Sequence, residues 1–325
     1  MKTIAHKLVA VTEAVLTWRS NRKDRIKRRR AEKHALRDWL EAFLQAALIV
    51  LIINQYLVQA YQIPSASMRS TLIEGDRIFV NKLVYGPELL PGLVKLPGFK
   101  QPRRGEVVIL ENPGQEPHST AFTLIHRILH MLTLSMVDID RDDMGNPRAT
   151  LLIKRAIGMG GDQIRSDYGD IYIRPAGAVQ WHPDYELMFP DSDFQPIQRL
   201  VPPAAYDDMR RFAAIISRSE TGIALTDNDR LFASQYSQRF PPDINTRDML
   251  RIQERSAINP ADRRYTRQRV RSDLGWYLPD NAVLTLGDNR DNSQDGRNYG
   301  FVYQENILGR AMFIYWPPSR WSGIQ

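Results

Sequence analysis

A chain of 325 residues with 43% hydrophobic and 25% charged side chains can bury a sizeable core, which excludes disorder and leaves room for one large domain or two ordinary ones. Its mean hydropathy of -0.40 excludes a bundle of membrane helices, because several apolar spans of about 20 residues would lift the average above zero. The net charge of +7 and pI near 9.6 suit an anionic partner, either nucleic acid or a membrane surface.

The position of the charge separates those two partners. Residues 1–37 hold twelve Lys or Arg against three acids, a net of +9, leaving 32 bases and 34 acids in the other 288 residues, a net of -2. The body therefore has no excess of positive charge for a phosphate backbone, and no nucleic-acid partner is expected. With no cysteine in the chain, disulfides, thiolate zinc sites and cysteine nucleophiles are excluded, while the redox compartment stays open.

The tail reads as helical from about Ile4. After it comes a stretch from Trp39 to Ala60, with an unbroken apolar run from Ala46 to Ile53 and aromatics at both ends. About 20 helical residues span roughly 30 Å, the thickness of the hydrocarbon layer. A buried core helix is one alternative. A cleavable leader is another, since Val58-Gln-Ala60 offers small residues at cleavage spacing. The 37-residue forerunner is too long for a secretory leader, and a basic flank on one side only holds the amino end in the cytoplasm. The expectation is one uncleaved span in the cytoplasmic (inner) membrane, with the body on its outer, periplasmic face.

Short β-branched or aromatic runs follow at Arg77–Tyr85, Glu106–Leu110, Ala149–Lys154 and Asp170–Arg174, and later at Ala282–Leu286 and Gly309–Trp316, punctuated by Gly, Pro and Asp. This is the pattern of an all-β core built from small strands. From about Pro202 to Val270 the residues become helix-favouring and charged. The expected organisation is a basic tail over 1–37, an anchor over 38–61, a first part of the core over 62–175, an inserted mixed and helical lobe over 176–273, and a second part of the core over 274–325. An apolar insertion at about 118–138, broken by His126, Arg127 and His130, is either an interfacial segment or a buried helix or hairpin.

Two metal patterns are weak. His126 and His130 stand at i and i+4, but Arg127 occupies the place of the metalloprotease glutamate and no further ligands cluster nearby. Asp291-Asn-Ser-Gln-Asp-Gly296 opens like a calcium loop, yet Val302 stands where the bidentate glutamate belongs. Neither a metal nor a cofactor is expected.

The better constellation is the serine-rich turn Ile63-Pro-Ser-Ala-Ser-Met-Arg-Ser-Thr-Leu72. Serine needs a base to become a nucleophile, and with few histidines and no clear triad the next choice is a lysine. Lys154 ends the apolar run Leu151-Leu-Ile153, where desolvation would lower its pKa towards the working pH. A solvated lysine at a strand end is the alternative.

Four separated segments together resemble type I signal peptidase, the membrane-anchored Ser/Lys protease family. Pro64-Ser-Ala-Ser-Met68 with Thr71-Leu72 and Gly75-Asp76 is similar to its nucleophile box, and Arg104-Gly-Glu-Val-Val108 to its second box. Lys154-Arg-Ala-Ile-Gly-Met-Gly-Gly-Asp162 resembles the lysine box, and Gly287-Asp-Asn-Arg-Asp-Asn-Ser-Gln-Asp-Gly-Arg297 the carboxyl-terminal box. The resemblance covers roughly residues 40–175 and 274–316. It departs mildly from the family pattern at Ala66, Ser70, Gly160 and Gly296, and none of these removes a reacting group.

The resemblance implies a mainly β fold: small antiparallel strands in a signal-peptidase or repressor-type core, one N-terminal transmembrane helix, and a partly helical inserted lobe. It implies a serine endopeptidase that removes signal peptides from exported preproteins after a small-x-small motif. Ser67 would be the nucleophile and Lys154 the general base. The Ser67 N–H and the Ser65 hydroxyl would form the oxyanion hole, Ser293 would orient the lysine, and Asp295 and Arg297 would form a supporting ion pair. Asp288 and Arg290 fall in the same box, with a structural role at least as well supported as a catalytic one. The implied partners are signal peptides, the lipid bilayer and the secretion machinery; separately, the terminal position and aromatic character of Trp316 and Trp321 suit them to dip into the bilayer. The rival readings are another Ser/Lys protease, such as the self-cleaving repressor type, and a non-catalytic membrane scaffold that uses the lobe to bind partners.

Overall fold

The computed structural model describes residues 2–90, 94–114, 119, 122, 125–126, 129, 139–141, 150–190, 194–237 and 243–325. The chain divides into two compact units, residues 1–53 and 54–325. Most of the apolar insertion at 118–138, His130 included, lies outside the described residues.

The first unit is one helix, α1 (Lys2–Ile52). Its 51 residues contain neither Gly nor Pro, so nothing interrupts the i→i−4 ladder. Basic tail and apolar stretch are thus continuous. Arg37–Leu57 forms 21 residues of mean hydropathy 1.6, long and apolar enough to cross a membrane. Its large side chains, such as Trp39, Phe43 and Leu48, are exposed. Glu41, the acid within that stretch nearest its apolar centre, is paired with Arg37 Nε at 2.9 Å, one helical turn away.

In the second unit β1 (Val58–Gln62) pairs antiparallel with β2 (Arg77–Asn81), Ala60 facing Phe79. An anchor reaching residue 61 is therefore corrected: after a π-helical turn at Ile53–Leu57 the backbone is already extended at Val58, where strand pairing replaces helical hydrogen bonds. A hairpin of β3 (Glu88–Leu90) and β4 (Val94–Lys95) leads to β5 (Val107–Glu111) and β6 (Leu151–Met159). Then come β7 (Gln163–Asp167), β8 (Asp170–Arg174), β9 (His182–Pro183) and the short helix α2 (Asp184–Met188).

The lobe contributes α3 (Ala205–Glu220), α4 (Asp227–Ser237), α5 (Ile244–Ile258) and α6 (Arg263–Leu274). The chain returns through β10 (Trp276–Tyr277), β11 (Ala282–Leu286), α7 (Gly296–Tyr299), β12 (Val302–Tyr303), β13 (Ile307–Trp316) and β14 (Ser322–Gly323).

The large sheet runs β1-β2-β13-β5-β6-β11-β12, with β14 added to β13; β10-β7-β8-β9 form a second sheet. Among the described residues the strands of these sheets pair antiparallel throughout. The inner strands are covered on both faces, as in the fully buried run Ala282–Leu286, because core side chains pack on each side. One cluster packs Met68, Leu72, Ile78 and Val107 below the serine turn, and a second joins Ile157, Ile164, Ile173 and Leu284 between the two sheets.

The mainly β expectation holds only in part. An antiparallel sheet is present, but α1 and four lobe helices add a large helical share. The lobe has its own small core of Tyr206, Met209, Phe212, Ala213, Tyr236 and Leu250. On α3 the apolar positions 206, 209, 212, 213 and 216 follow the helical period and form one inward stripe.

Candidate active site

The serine turn is fixed at both ends. Ile63 N–H donates to Asp76 C=O at 2.8 Å and Gly75 N–H to Ile63 C=O at 3.0 Å, closing the loop at its base. The Asp76 carboxylate takes the Ile73 N–H at 2.9 Å and two nitrogens of Arg320 at 2.9 and 3.0 Å. Between these clamps Ala66–Met68 forms a single 3₁₀ turn, with Met68 and Leu72 buried beneath it. Apolar anchors on either side thus leave Ser67 held on a stiff turn.

Lys154 lies inside β6, opposite Val108 of β5. It does not end the strand, as the apolar run alone predicts: β6 continues to Met159 and Lys154 is 3% exposed. Its Nζ donates to Ser67 Oγ across 2.7 Å. Burial pushes the lysine down to about 8, against the opposing pull of Asp295 and Asp288. An amine with that pKa is neutral in a useful fraction near neutral pH and can accept the serine proton. The Ser65 hydroxyl donates to Ser67 Oγ at 3.4 Å, which places a second polar hydrogen beside the same oxygen.

The carboxyl-terminal box supplies the floor. Arg297 binds Asp295 through Nε and Nη2, both at 2.9 Å, with both side chains buried. Burial raises the Asp295 carboxyl, but Arg297 and the Gly287 N–H outweigh it and leave its pKa below the usual range. Asp288 is held by Arg155 through Nε at 2.8 Å and Nη2 at 2.7 Å, and also accepts from Thr71 Oγ1 at 2.6 Å. Arg290 Nη2 lies 2.5 Å from Asp184. Asp288 and Arg290 are thus engaged in buried ion pairs that join the box to β6 and to α2. Ser293 is buried beside Ser67, yet its Oγ has no hydrogen-bond partner and makes no bond to Lys154.

Against this geometry the comparisons with known proteins are specific. Residues 36–199 and 224–316 match the family described as "Signal peptidase, peptidase S26". The chain belongs to that family. It is a serine endopeptidase, and the match runs well into the helical lobe, beyond the segments that carry the motifs. The chain is 28% identical to the signal peptidase I of Aquifex aeolicus over 282 residues, 85% of this chain and 82% of that protein. It is 27% identical to the signal peptidase I of Buchnera aphidicola subsp. Schizaphis graminum over 283 residues, 85% of this chain and 73% of the relative. For the signal peptidase I of Haemophilus influenzae the identity is 27% over 286 residues, covering 86% and 69%.

Two residues of the peptidase have a place at the site that motif reading leaves without a role. Asn289 donates its backbone N–H to Ser67 C=O at 3.0 Å and its Nδ2 to Ala66 C=O at 3.1 Å, so it grips the serine turn from beneath. Gly287 is the second: a Cβ there would lie 2.2 Å from Ser293 Oγ and 2.5 Å from Ser67 C=O. Both sit inside the carboxyl-terminal box, which was the available signal, but only the folded chain shows which atoms they meet. Asp291, read as the first position of a calcium loop, instead accepts from Arg199 Nε at 2.9 Å and from the Leu200 and Val201 N–H groups at 2.5 and 2.8 Å.

Proposed function

We propose that this peptidase removes signal peptides from exported preproteins by a Ser67/Lys154 dyad. The carrying observation is the 2.7 Å contact between Lys154 Nζ and Ser67 Oγ, made by a lysine that burial has brought down to about 8. Neutral Lys154 takes the Ser67 proton as Oγ attacks the scissile carbonyl carbon. The oxyanion that forms accepts hydrogen bonds from the Ser67 N–H and the Ser65 hydroxyl. The Lys154 ammonium returns its proton to the leaving amine, and water activated by the same amine releases the acyl group. Ser293 orients Lys154 once substrate has closed the site. Asp295 and Arg297 hold the floor beneath it.

The substrate reading rests on the shape of a cleavage site, an extended segment with small residues at -1 and -3. The edge strand β1 runs directly into the serine turn, and an extended segment laid along a sheet edge gains backbone hydrogen bonds while alternate side chains enter shallow pockets. For the membrane, the basic tail stays cytoplasmic, residues 38–57 span, and the body works at the outer face, in keeping with the charge asymmetry. Trp316, Trp321, Phe79 and Phe313, exposed on β2, β13 and the turn before β14, rest in the lipid interface.

The test is processing of a preprotein in detergent by wild type, Ser67→Ala and Lys154→Ala. Both variants are expected to lose cleavage. Processing that survives either substitution refutes the dyad.

A further inference from the structure

The helical lobe is connected to the serine turn by a short strap, residues 196–201. Its backbone runs parallel to the carboxyl-terminal box: Gln198 N–H donates to Asp288 C=O at 2.8 Å, and Arg290 N–H donates to Gln198 C=O at 3.0 Å. Those two bonds flank Asn289, the residue that grips Ser67 from the other side. The strap also reaches the turn directly, since the Ser70 hydroxyl donates to Pro196 C=O. Ser70 needs that hold, because it sits at φ +96°, a conformation that side chains other than glycine adopt only when their surroundings impose it.

Two side chains fasten the strap: the Asp291 carboxylate accepts the Leu200 and Val201 N–H groups, and Arg199 reaches out from the strap itself. Arg199 binds Asp291 through Nε at 2.9 Å, ion-pairs with Asp170 at the start of β8, donates to Tyr168 C=O at 2.9 Å, and donates to the Tyr206 hydroxyl of α3. Tyr206 in turn donates to Asp243 Oδ2 at 2.9 Å, and Asp243 caps α5 by accepting the Thr246 N–H at 3.0 Å. Three carboxylates, from Asp170, Asp243 and Asp291, therefore converge on one guanidinium. Two of them are fully buried, so without the cation they repel one another in a medium that screens little. The first turn of α5 makes a second link, from Asn245 Nδ2 to Ser293 C=O at 3.3 Å.

We propose that Arg199 is a positioning residue of the active site, and that the helical lobe acts through it as a brace that holds Asn289 against the Ser67 carbonyl. The brace rests on the reading of Ser67 and Lys154 as the dyad. It assigns the lobe a part in the rate of cleavage, through the placing of Ser67 relative to Lys154 and not through contact with substrate. Misplacing a nucleophile by about 1 Å costs on the order of 100-fold in rate.

The test uses the full-length protein in detergent with a preprotein substrate. Arg199→Met keeps the apolar bulk and removes the fork. It is expected to lower kcat by about 10- to 100-fold with KM within about twofold, while Arg199→Lys recovers part of the loss, because a single ammonium can engage fewer of these acceptors at once. Arg218→Met, which breaks only contacts within the lobe, with Asp229 and the Ala224 carbonyl, is expected to leave kcat unchanged. Hydrogen exchange in the Ser67→Ala background reads the brace without any activity: Arg199→Met should speed exchange of the Leu200, Val201 and Asn289 amides and leave those of β6 and β11 as they were. If Arg199→Met fails to fold, Asp291→Asn, which leaves the Tyr206–Asp243 contact in place, is read by the same two measurements. Wild-type kcat in the substituted protein overturns the proposal, and so does a loss of kcat accompanied by equally faster exchange throughout β6 and β11. Cleavage by Ser67→Ala would sink the dyad alone, since the exchange result stands independently of it.

Discussion

Lys154 Nζ and Ser67 Oγ are 87 residues apart in the chain and 2.7 Å apart in the fold. The lysine is held down to about 8, chiefly by burial, and only its neutral form can take the serine proton. kcat/KM is therefore expected to rise about tenfold per pH unit below about 8 and to level off above it. A pH profile on a preprotein or peptide substrate checks this, and a profile flat from pH 6 to pH 9 would count against Lys154 as the base.

The same shift has a cost in stability. Above pH 10.5 the lysine is neutral in folded and unfolded chains alike, and the effect vanishes. As the pH falls from 10.5 towards 8 the unfolded chain takes up the proton first, so the folded state loses stability; below 8 the loss is constant, on the order of 3 kcal/mol. Lys154→Met, which removes the buried amine at similar volume, should abolish cleavage and yet raise stability at pH 7 by up to roughly that amount. Urea denaturation of both proteins at pH 7 and pH 10 gives the answer, with the gap shrinking at the higher pH.

Ser65 and Ser293 are expected to separate rate from stability. Ser65→Ala removes a hydroxyl that now lies 3.4 Å from Ser67 Oγ, and its loss as an oxyanion donor should lower kcat by about 10²- to 10³-fold with little change in Tm. Ser293→Ala removes a buried hydroxyl that lacks a partner in the resting structure. Since a buried unsatisfied group costs about 1–3 kcal/mol, this variant should be no less stable than wild type while losing activity. A destabilised, fully active Ser293→Ala would contradict both expectations.

Gly287 has room for no side chain. A Cβ would lie 2.5 Å from Ser67 C=O and 2.2 Å from Ser293 Oγ, so Gly287→Ala must push the serine turn or the box aside. A fall in kcat on the order of 100-fold is expected, with KM much less affected. Steady-state kinetics on one substrate decides it.

The exposed aromatics of the sheet suit a lipid interface. Trp316 and Trp321 are 51% and 63% exposed, and Phe79 stacks on Tyr315 with centroids 4.2 Å apart. The unit from residue 54 onward is expected to bind vesicles of mixed zwitterionic and anionic lipid, and replacing both tryptophans with Ser should weaken that binding severalfold. Unchanged cosedimentation of the double variant would remove these residues from the membrane contact.

Much of this was legible in the chain. The strand at Ala282–Leu286 falls where its apolar run puts it, and the helical lobe falls where charge and helix-favouring residues replace β-branched ones. The serine and lysine of the motifs meet. Other features were hidden. Val58 belongs to a strand although it continues an apolar helix pattern, because β2 pairs with it through Asn81, 23 positions later. The roles of Asn289, Gly287 and Arg199 depend on backbone carbonyls and on distant carboxylates, which leave no periodic trace in sequence.

By itself the sequence determined the family, the cation-rich helix with its apolar continuation, and the candidates for the reacting groups, because these are properties of local segments: composition, charge asymmetry and short motifs. Only the tertiary structure decided what those groups can do. The register of β5 on β6 sets where Lys154 stands, with Val108 opposite it, and the core around it removes the water that would keep its amine charged. The serine turn likewise takes its shape from residues more than 100 positions away, Pro196 and Asn289. Desolvation and non-local hydrogen bonds are sums over neighbours in space, and a chain acquires those neighbours only when it folds.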